Sequence, residues 1–187
     1  MISLSRFFRA AYSPRFRAYT NTFTTTCLFC AGDILSQLIS MDKLDIRDVD
    51  LRRTAQYGAM GLVIGPLAHH WYKFLDGVAF RGSRTLITTK KVAADCLTTP
   101  IFSGITLNGS ALLEGKSPKT AFREYKSKFR NVVTLDLMFW PPVQFLNFFF
   151  VPPSFRVLYI NFAVVIYNSM LSYIKHNHLI GHSLIDD

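Results

Sequence analysis

Charged side chains are scarce in this 187-residue sequence: Asp, Glu, Lys and Arg supply 18% of it, below the roughly 25% of soluble domains. Acids are scarcer than bases, 12 against 21, and none occurs in residues 1–32. The net charge of +9 suits an anionic partner, either nucleic acid or phospholipid headgroups. Only three cysteines occur, Cys27, Cys30 and Cys96, too few for a disulfide framework or a four-ligand zinc site. Cys27 and Cys30 form a C-x-x-C, yet they sit in an apolar run without the strand-to-helix setting of a redox motif, and both are expected to be small buried residues. Missing too are G-x-S-x-G, a phosphate-binding glycine loop, a dinucleotide fingerprint and H-E-x-x-H. No metal, cofactor or catalytic reading therefore has a positive feature behind it, and the chain is expected to be non-enzymatic. His69 and His70, adjacent on a helix, point in different directions and are expected to be structural or interfacial.

Apolar residues are abundant: half the chain is hydrophobic, with 17 Phe, 8 Tyr and 2 Trp. This excludes a disordered tail and points to one domain. Asp, Glu, Lys and Arg are absent from Thr54–Tyr72, Cys96–Leu113, Leu137–Phe155 and Val157–Ile174, and Ala18–Met41 is interrupted only by Asp33. Each run approaches the ~20 residues that a helix needs to cross hydrocarbon. A soluble bundle would carry charge at helical spacing through such segments. The expected fold is all-α, a polytopic membrane helical bundle of four to five membrane segments plus a basic amphipathic helix. Its parts are a basic targeting or flanking segment over 1–17, a membrane domain over 18–176 and a short polar tail over 177–187. Arg6, Arg9, Arg15 and Arg17, with no acid nearby, give the amino-terminal segment the makeup of a mitochondrial targeting sequence. The loops over 41–53, 73–91 and 114–130 carry four, five and six basic residues. These sums nearly cancel across the two sides of a membrane and assign no orientation.

Pro141, Pro142, Pro152 and Pro153 interrupt the fourth run, which is expected to be broken or kinked, with Val151–Ser154 as the turn into the last helix. Before it, Ser117 and Pro118 form a helix start. Ala121, Phe122, Tyr125 and Phe129 then recur at helical spacing, while Lys116, Lys119, Arg123, Lys126, Lys128 and Arg130 form a candidate anionic-surface site. Such a helix either lies in the headgroup plane or packs its apolar face on the bundle.

The runs also carry polar stripes at steps of three and four. One is Thr22, Thr26, Cys30, Asp33 and Gln37; another is Asp95, Thr99, Ser103, Thr106 and Ser110. Asp136, Gln144 and Asn147 would align in the fourth run were the prolines absent, and Asn161, Asn168, Ser172 and Lys175 align in the last. Asp33, Asp95 and Asp136 should face the bundle interior, a watery cavity or the interface. Gly58, Gly61 and Gly65 share one close-packing face. Two readings stay open: a hydrophilic pathway for small solutes lined by Asp33, Gln37, Asp95, Asp136, Gln144 and Asn147, or interhelical glue. Arg156 is expected to pair with Asp33, Asp95 or Asp136, or to reach a headgroup.

The run from Trp140-Pro141-Pro142-Val143-Gln144 through Asn147-Phe148 and Val151-Pro152 to Arg156 resembles the W-P-x-x-Q-x-x-N-F-x-x-V-P-x-x-x-R signature of the Mpv-17 family, also called the peroxisomal membrane protein 22 family. Gly32-Asp33 with Gln37, Gly65-Pro66 with His69, Trp71 and Tyr72, Lys91 with Asp95 and Pro100, and Leu171-Ser172 follow the same pattern in order. Cys96 and Tyr167 depart from the Gln and Trp common there. The segments around Phe155–Asn161 and Leu171–Lys175 are most similar to the Mpv-17-like protein 2 subgroup. The resemblance implies a small integral protein of the mitochondrial inner membrane, or alternatively of the peroxisomal membrane. It also implies channel-like permeability and a link to mitochondrial genome maintenance or translation, so the partners it suggests are the lipid bilayer and mitochondrial ribosome or nucleoid components. Self-association into a homo-oligomer stays open, and the basic residues are not read as a direct nucleic-acid site.

Overall fold

A computed structural model describes residues 10–39 and 46–167, and the regular elements among the described residues are all helical, with no strand among them. The chain runs through α1 (Arg17–Ile39), a 3-10 turn (Ile46–Asp48), α2 (Leu51–Gly77), α3 (Arg84–Leu113), α4 (Pro118–Phe150) and α5 (Arg156–Tyr167). The first nine residues of the amino-terminal segment, the Asn168, Ser172 and Lys175 part of the last stripe and the polar tail lie outside the described residues.

Side chains cap the helices where the chain turns. Asp50, Ser83 and Ser117 accept the backbone N–H three residues on, opening α2, α3 and α4, and Pro118 takes the first turn of α4. Gly115, with φ of +87°, closes α3: the N–H of Lys116 reaches back to the carbonyl of Ala111, a left-handed cap that a side chain at Gly115 would strain.

Of the two expectations for the fourth run, broken or kinked, the break at Pro141 and Pro142 does not occur. Pro141 and Pro142 lie inside the 33-residue α4, which joins the basic amphipathic segment to the apolar run as one helix about 50 Å long. The two prolines cost α4 two backbone donors without ending it, because the helix is held on both sides of them by side-chain bonds from Asp136 and Gln144 to its neighbours. The turn over 151–154 stands where the sequence puts it.

Three helices among the described residues, α1, α3 and α4, are long and apolar enough to cross a membrane. The 27-residue α2 has the length, about 40 Å, but its glycines, histidines and tyrosines lower its hydropathy. The distribution of side chains is that of a protein in lipid. Tyr19, Phe23, Leu97, Met138 and Phe150 are exposed, while Asn21, Thr25, Asp33, Asp136, Gln144, Asn147 and Asn161 are buried. Large apolar side chains outside and polar ones inside invert the usual arrangement in water.

Two close pairs build the bundle, α1 with α2 and α3 with α4, and the contact between α2 and α3 is slight. Gly58, Gly61 and Gly65 do form one packing face. A Cβ on Gly61 would stand 2.6 Å from the Cα of Thr26, one on Gly65 2.7 Å from the Cα of Thr22, and one on Gly58 2.8 Å from the Sγ of Cys30. The α1–α2 contact is thus backbone against backbone. Ala68, Tyr72, Leu75, Phe148 and Val157 then tie α2 to α4 and α5.

Candidate functional site

A cavity of about 560 Å³ lies between the two helix pairs and runs along α3. It exists because the α2–α3 contact is slight and because α3 turns small polar residues to that side. Asp95, Thr99, Ser103, Thr106 and Ser110, the whole predicted stripe of α3, line it. Opposite, Asp136 and Gln144 line it from α4 and Asn161 from α5, with apolar walls including Ile64, Phe102, Leu135 and Val164. The prolines do not disturb the alignment of Asp136, Gln144 and Asn147, since α4 is continuous.

Asp136 is 4% exposed and is held by three neutral donors: Ser103 Oγ, Trp140 Nε1 at 3.1 Å and the Tyr167 hydroxyl at 3.0 Å. Tyr167, which departs from the family pattern, keeps both a ring packed on Trp140 and a donor to this carboxylate. Asp95 accepts from Trp71 Nε1 and from Gln144 Nε2, both at 2.7 Å. Gln144 also donates to the Tyr72 hydroxyl at 2.6 Å, and Asn147 Nδ2 donates to Gln144 Oε1 at 3.0 Å. Trp71, Tyr72, Asp95 and Gln144 form a knot of hydrogen bonds at one end of the cavity. Glu114, Lys116, Glu124 and Lys128 line the other. There Lys116 pairs with Glu124 at 2.9 Å and Glu114 at 3.3 Å, and its hydrogen bonds to those carboxylates raise its pKa.

The remaining predicted polar residues stand elsewhere. Asp33 and Gln37 are buried but form a separate clasp between α1 and α2. Gln37 Nε2 and Thr54 Oγ1 donate to Asp33 Oδ2 at 2.7 and 2.8 Å, the Asp50 N–H donates to Gln37 Oε1 at 2.8 Å, and Arg53 pairs with Asp33 Oδ1 at 2.8 Å. The most buried line on α1 is Asn21, Thr25, Phe29, Asp33 and Gln37, one residue beside the predicted stripe. Thr22, Thr26 and Cys30 flank it against the glycines of α2. Asn147 supports Gln144 from behind and does not line the cavity.

Arg156 is a correction. It pairs with Asp76 at the end of α2, not with Asp33, Asp95 or Asp136, and Lys91 of α3 completes the cluster at 2.7 Å from the same carboxylate. The turn after α4 delivers Arg156 to the end of the bundle where α2 finishes. Asp33 is already paired with Arg53, and among the described residues the donors to Asp95 and Asp136 are neutral. Asp76 lies outside the charge-free runs, although it continues the face of Gly65, His69 and Tyr72 by one more helical step.

On α4, Ala121 is buried and the Tyr125 hydroxyl donates to the Pro100 carbonyl at 2.7 Å. Phe122 and Phe129, on the same predicted apolar face, are exposed, as are Lys119, Arg123, Lys126, Lys128 and Arg130. His69 accepts or donates at 2.9 Å to Asn21 and His70 contacts the Pro66 carbonyl. Cys27 is exposed and Cys30 half-buried, against the expectation that both are buried.

Residues 111–172 match the Mpv17 / PMP22 family. Over 161 residues the chain is 36% identical to Protein sym-1 of Neurospora crassa, covering 83% of this chain and 90% of the relative. It is 33% identical to Protein sym1 of Aspergillus oryzae over 160 residues, covering 83% and 89%. It is 30% identical to the Mitochondrial inner membrane protein Mpv17 of Caenorhabditis briggsae over 173 residues, covering 92% and 93%. No solved structure matches the chain.

Proposed function

The chain belongs to the Mpv17 / PMP22 family and is a mitochondrial inner-membrane protein, and from that premise we propose that it is a non-enzymatic, weakly selective pathway for small solutes that supports mitochondrial homeostasis and genome maintenance. One observation carries the reading: all five polar residues of the α3 stripe line a single cavity, together with the carboxylate of Asp136. Ser103 and Asp95 bond across to α4, but space remains beside them that helices joined by polar glue alone would close. Two interior carboxylates favour cations over anions through their field.

Conductance of the purified protein in planar bilayers tests this. Asp95→Asn with Asp136→Asn is expected to reduce cation selectivity, while Asp33→Asn, away from the cavity, is expected to leave selectivity unchanged. Equal selectivity in wild type and the double variant would sink the pathway through this cavity.

A second reading is a membrane scaffold for mitochondrial ribosome assembly or translation. Exposed Lys119, Arg123, Lys126, Lys128 and Arg130 on the first turns of α4 favour it, since clustered cations bind phosphates with steep salt dependence. Co-sedimentation with mitochondrial ribosomes across a salt series, with and without charge reversal of these residues, is the measurement. No association at low salt would remove it.

A further inference from the structure

Among the described residues, Asp95 and Asp136 differ from the other interior carboxylates in having no cation partner. Asp33 has Arg53 and Asp76 has Lys91 and Arg156. Among the described residues no Lys or Arg stands within ion-pair distance of Asp95 or Asp136, whose donors are indole, amide and hydroxyl groups. A carboxylate between apolar walls without a counter-charge is costly even where the cavity admits water, and neutral donors offset only part of that cost. Each carboxylate also has acceptor capacity left, since two oxygens offer about four sites and no more than three are taken.

Their spacing is fixed by two helices at once. Gln144, bonded to Asp95, lies eight residues beyond Asp136 on α4, and Ser103, bonded to Asp136, lies eight residues beyond Asp95 on α3. Eight residues of helix rise about 12 Å. The two negative charges therefore sit about two turns apart in one cavity, with Phe102, Ile64, Leu135 and Val164 among its apolar walls. One small cation cannot satisfy both.

We propose that this cavity binds a linear aliphatic dication of the polyamine class, with one ammonium on Asp95, the other on Asp136 and the methylene chain along the apolar wall. The indoles of Trp71 and Trp140, each bonded to one of the two carboxylates, give either ammonium an aromatic neighbour. The proposal deepens the solute-pathway reading by naming the class of solute, but it concerns binding and does not require flux.

Binding of α,ω-diamines, from butane-1,4-diamine to dodecane-1,12-diamine, to the full-length protein in detergent tests it by calorimetry and by thermal shift. Affinity is expected to peak at about eight to ten carbons, the length that matches the carboxylate spacing. The best diamine should bind roughly tenfold more tightly than the four-carbon one and than the alkyl monoamine of equal length, a factor of ten being one added ion pair of about 1.4 kcal/mol. Asp95→Asn and Asp136→Asn should each reduce the best diamine to the affinity of the monoamine. A flat length profile in wild type, or no binding of any diamine at pH 7, overturns the proposal without reference to whether either variant folds. Conductance that persists without diamine binding would overturn this inference alone. Length-selective binding without conductance would remove the pathway and leave the site.

Discussion

Arg156 has a single acidic partner within the bundle, Asp76, and that partner is shared with Lys91. The guanidinium is almost fully buried, its Nε donates to the Val151 carbonyl and it lies over the ring of Phe148, so its charge, its stem and its fork are all used. Replacing it leaves Asp76 with Lys91, a compact ammonium that cannot hold the turn carbonyl as well. Arg156→Gln is therefore expected to cost about 2 kcal/mol, less than the 3–5 of a fully stranded buried charge. Asp76→Asn should cost a comparable amount, and the double variant should cost less than the sum by about 1 kcal/mol or more. Thermal unfolding in detergent across this cycle measures it; strict additivity would show that the contact contributes no coupling. The pair was half legible in the sequence. The need for a buried partner follows from an arginine between apolar runs, but the identity of that partner depends on where the ends of α2, α3 and α5 meet, which helical periodicity within single segments does not encode.

At the scale of elements, what the sequence makes readable is whatever repeats at three and four residues. The α3 stripe, the glycine face of α2 and the alignment of Asp136, Gln144 and Asn147 are all of this kind, and all are found in the fold. What it hides is whether a proline ends a helix, because side chains on neighbouring helices decide that at Pro141 and Pro142. The glycine face carries a sharp consequence. Gly61 meets backbone atoms of Thr25 and Thr26, which cannot rotate aside as a side chain would, so any larger residue must push α1 and α2 apart. Gly61→Val is expected to destabilise by about 2–3 kcal/mol, at the upper end for overpacking. Gly77, with nothing within 4 Å of its added Cβ, should accept Ala within about 1 kcal/mol. Comparing the two variants by thermal unfolding checks the claim, and equal effects would mean that the α1–α2 contact is not the close one seen here.

At the scale of the molecule, the interior carboxylates of the described residues divide into three separate groups that do different things. The Asp33 clasp joins α1 to α2, the Asp76 cluster ties the ends of α2, α3 and α5, and the Asp95 and Asp136 group faces the cavity. Two groups are thus spent on holding helices, and the cavity between the two pairs is a place where water or solute can meet the interior from the side of Glu114 and Lys128. This arrangement predicts a gradient of access. In a background with Cys27, Cys30 and Cys96 replaced by Ser, Ser110→Cys, one turn from Glu114, should react readily with a membrane-impermeant methanethiosulfonate reagent in reconstituted vesicles. Thr99→Cys, 9% exposed and three turns deeper along α3, should react more slowly but measurably. Phe23→Cys, 69% exposed but facing outward from an apolar helix, should not react, since a thiol in hydrocarbon forms no thiolate. The order matters more than any single rate, because fractional exposure alone ranks Phe23 first and Thr99 last. Reactivity at Phe23→Cys exceeding that at Ser110→Cys would mean that the outward apolar face, and not the cavity, is the surface in contact with water.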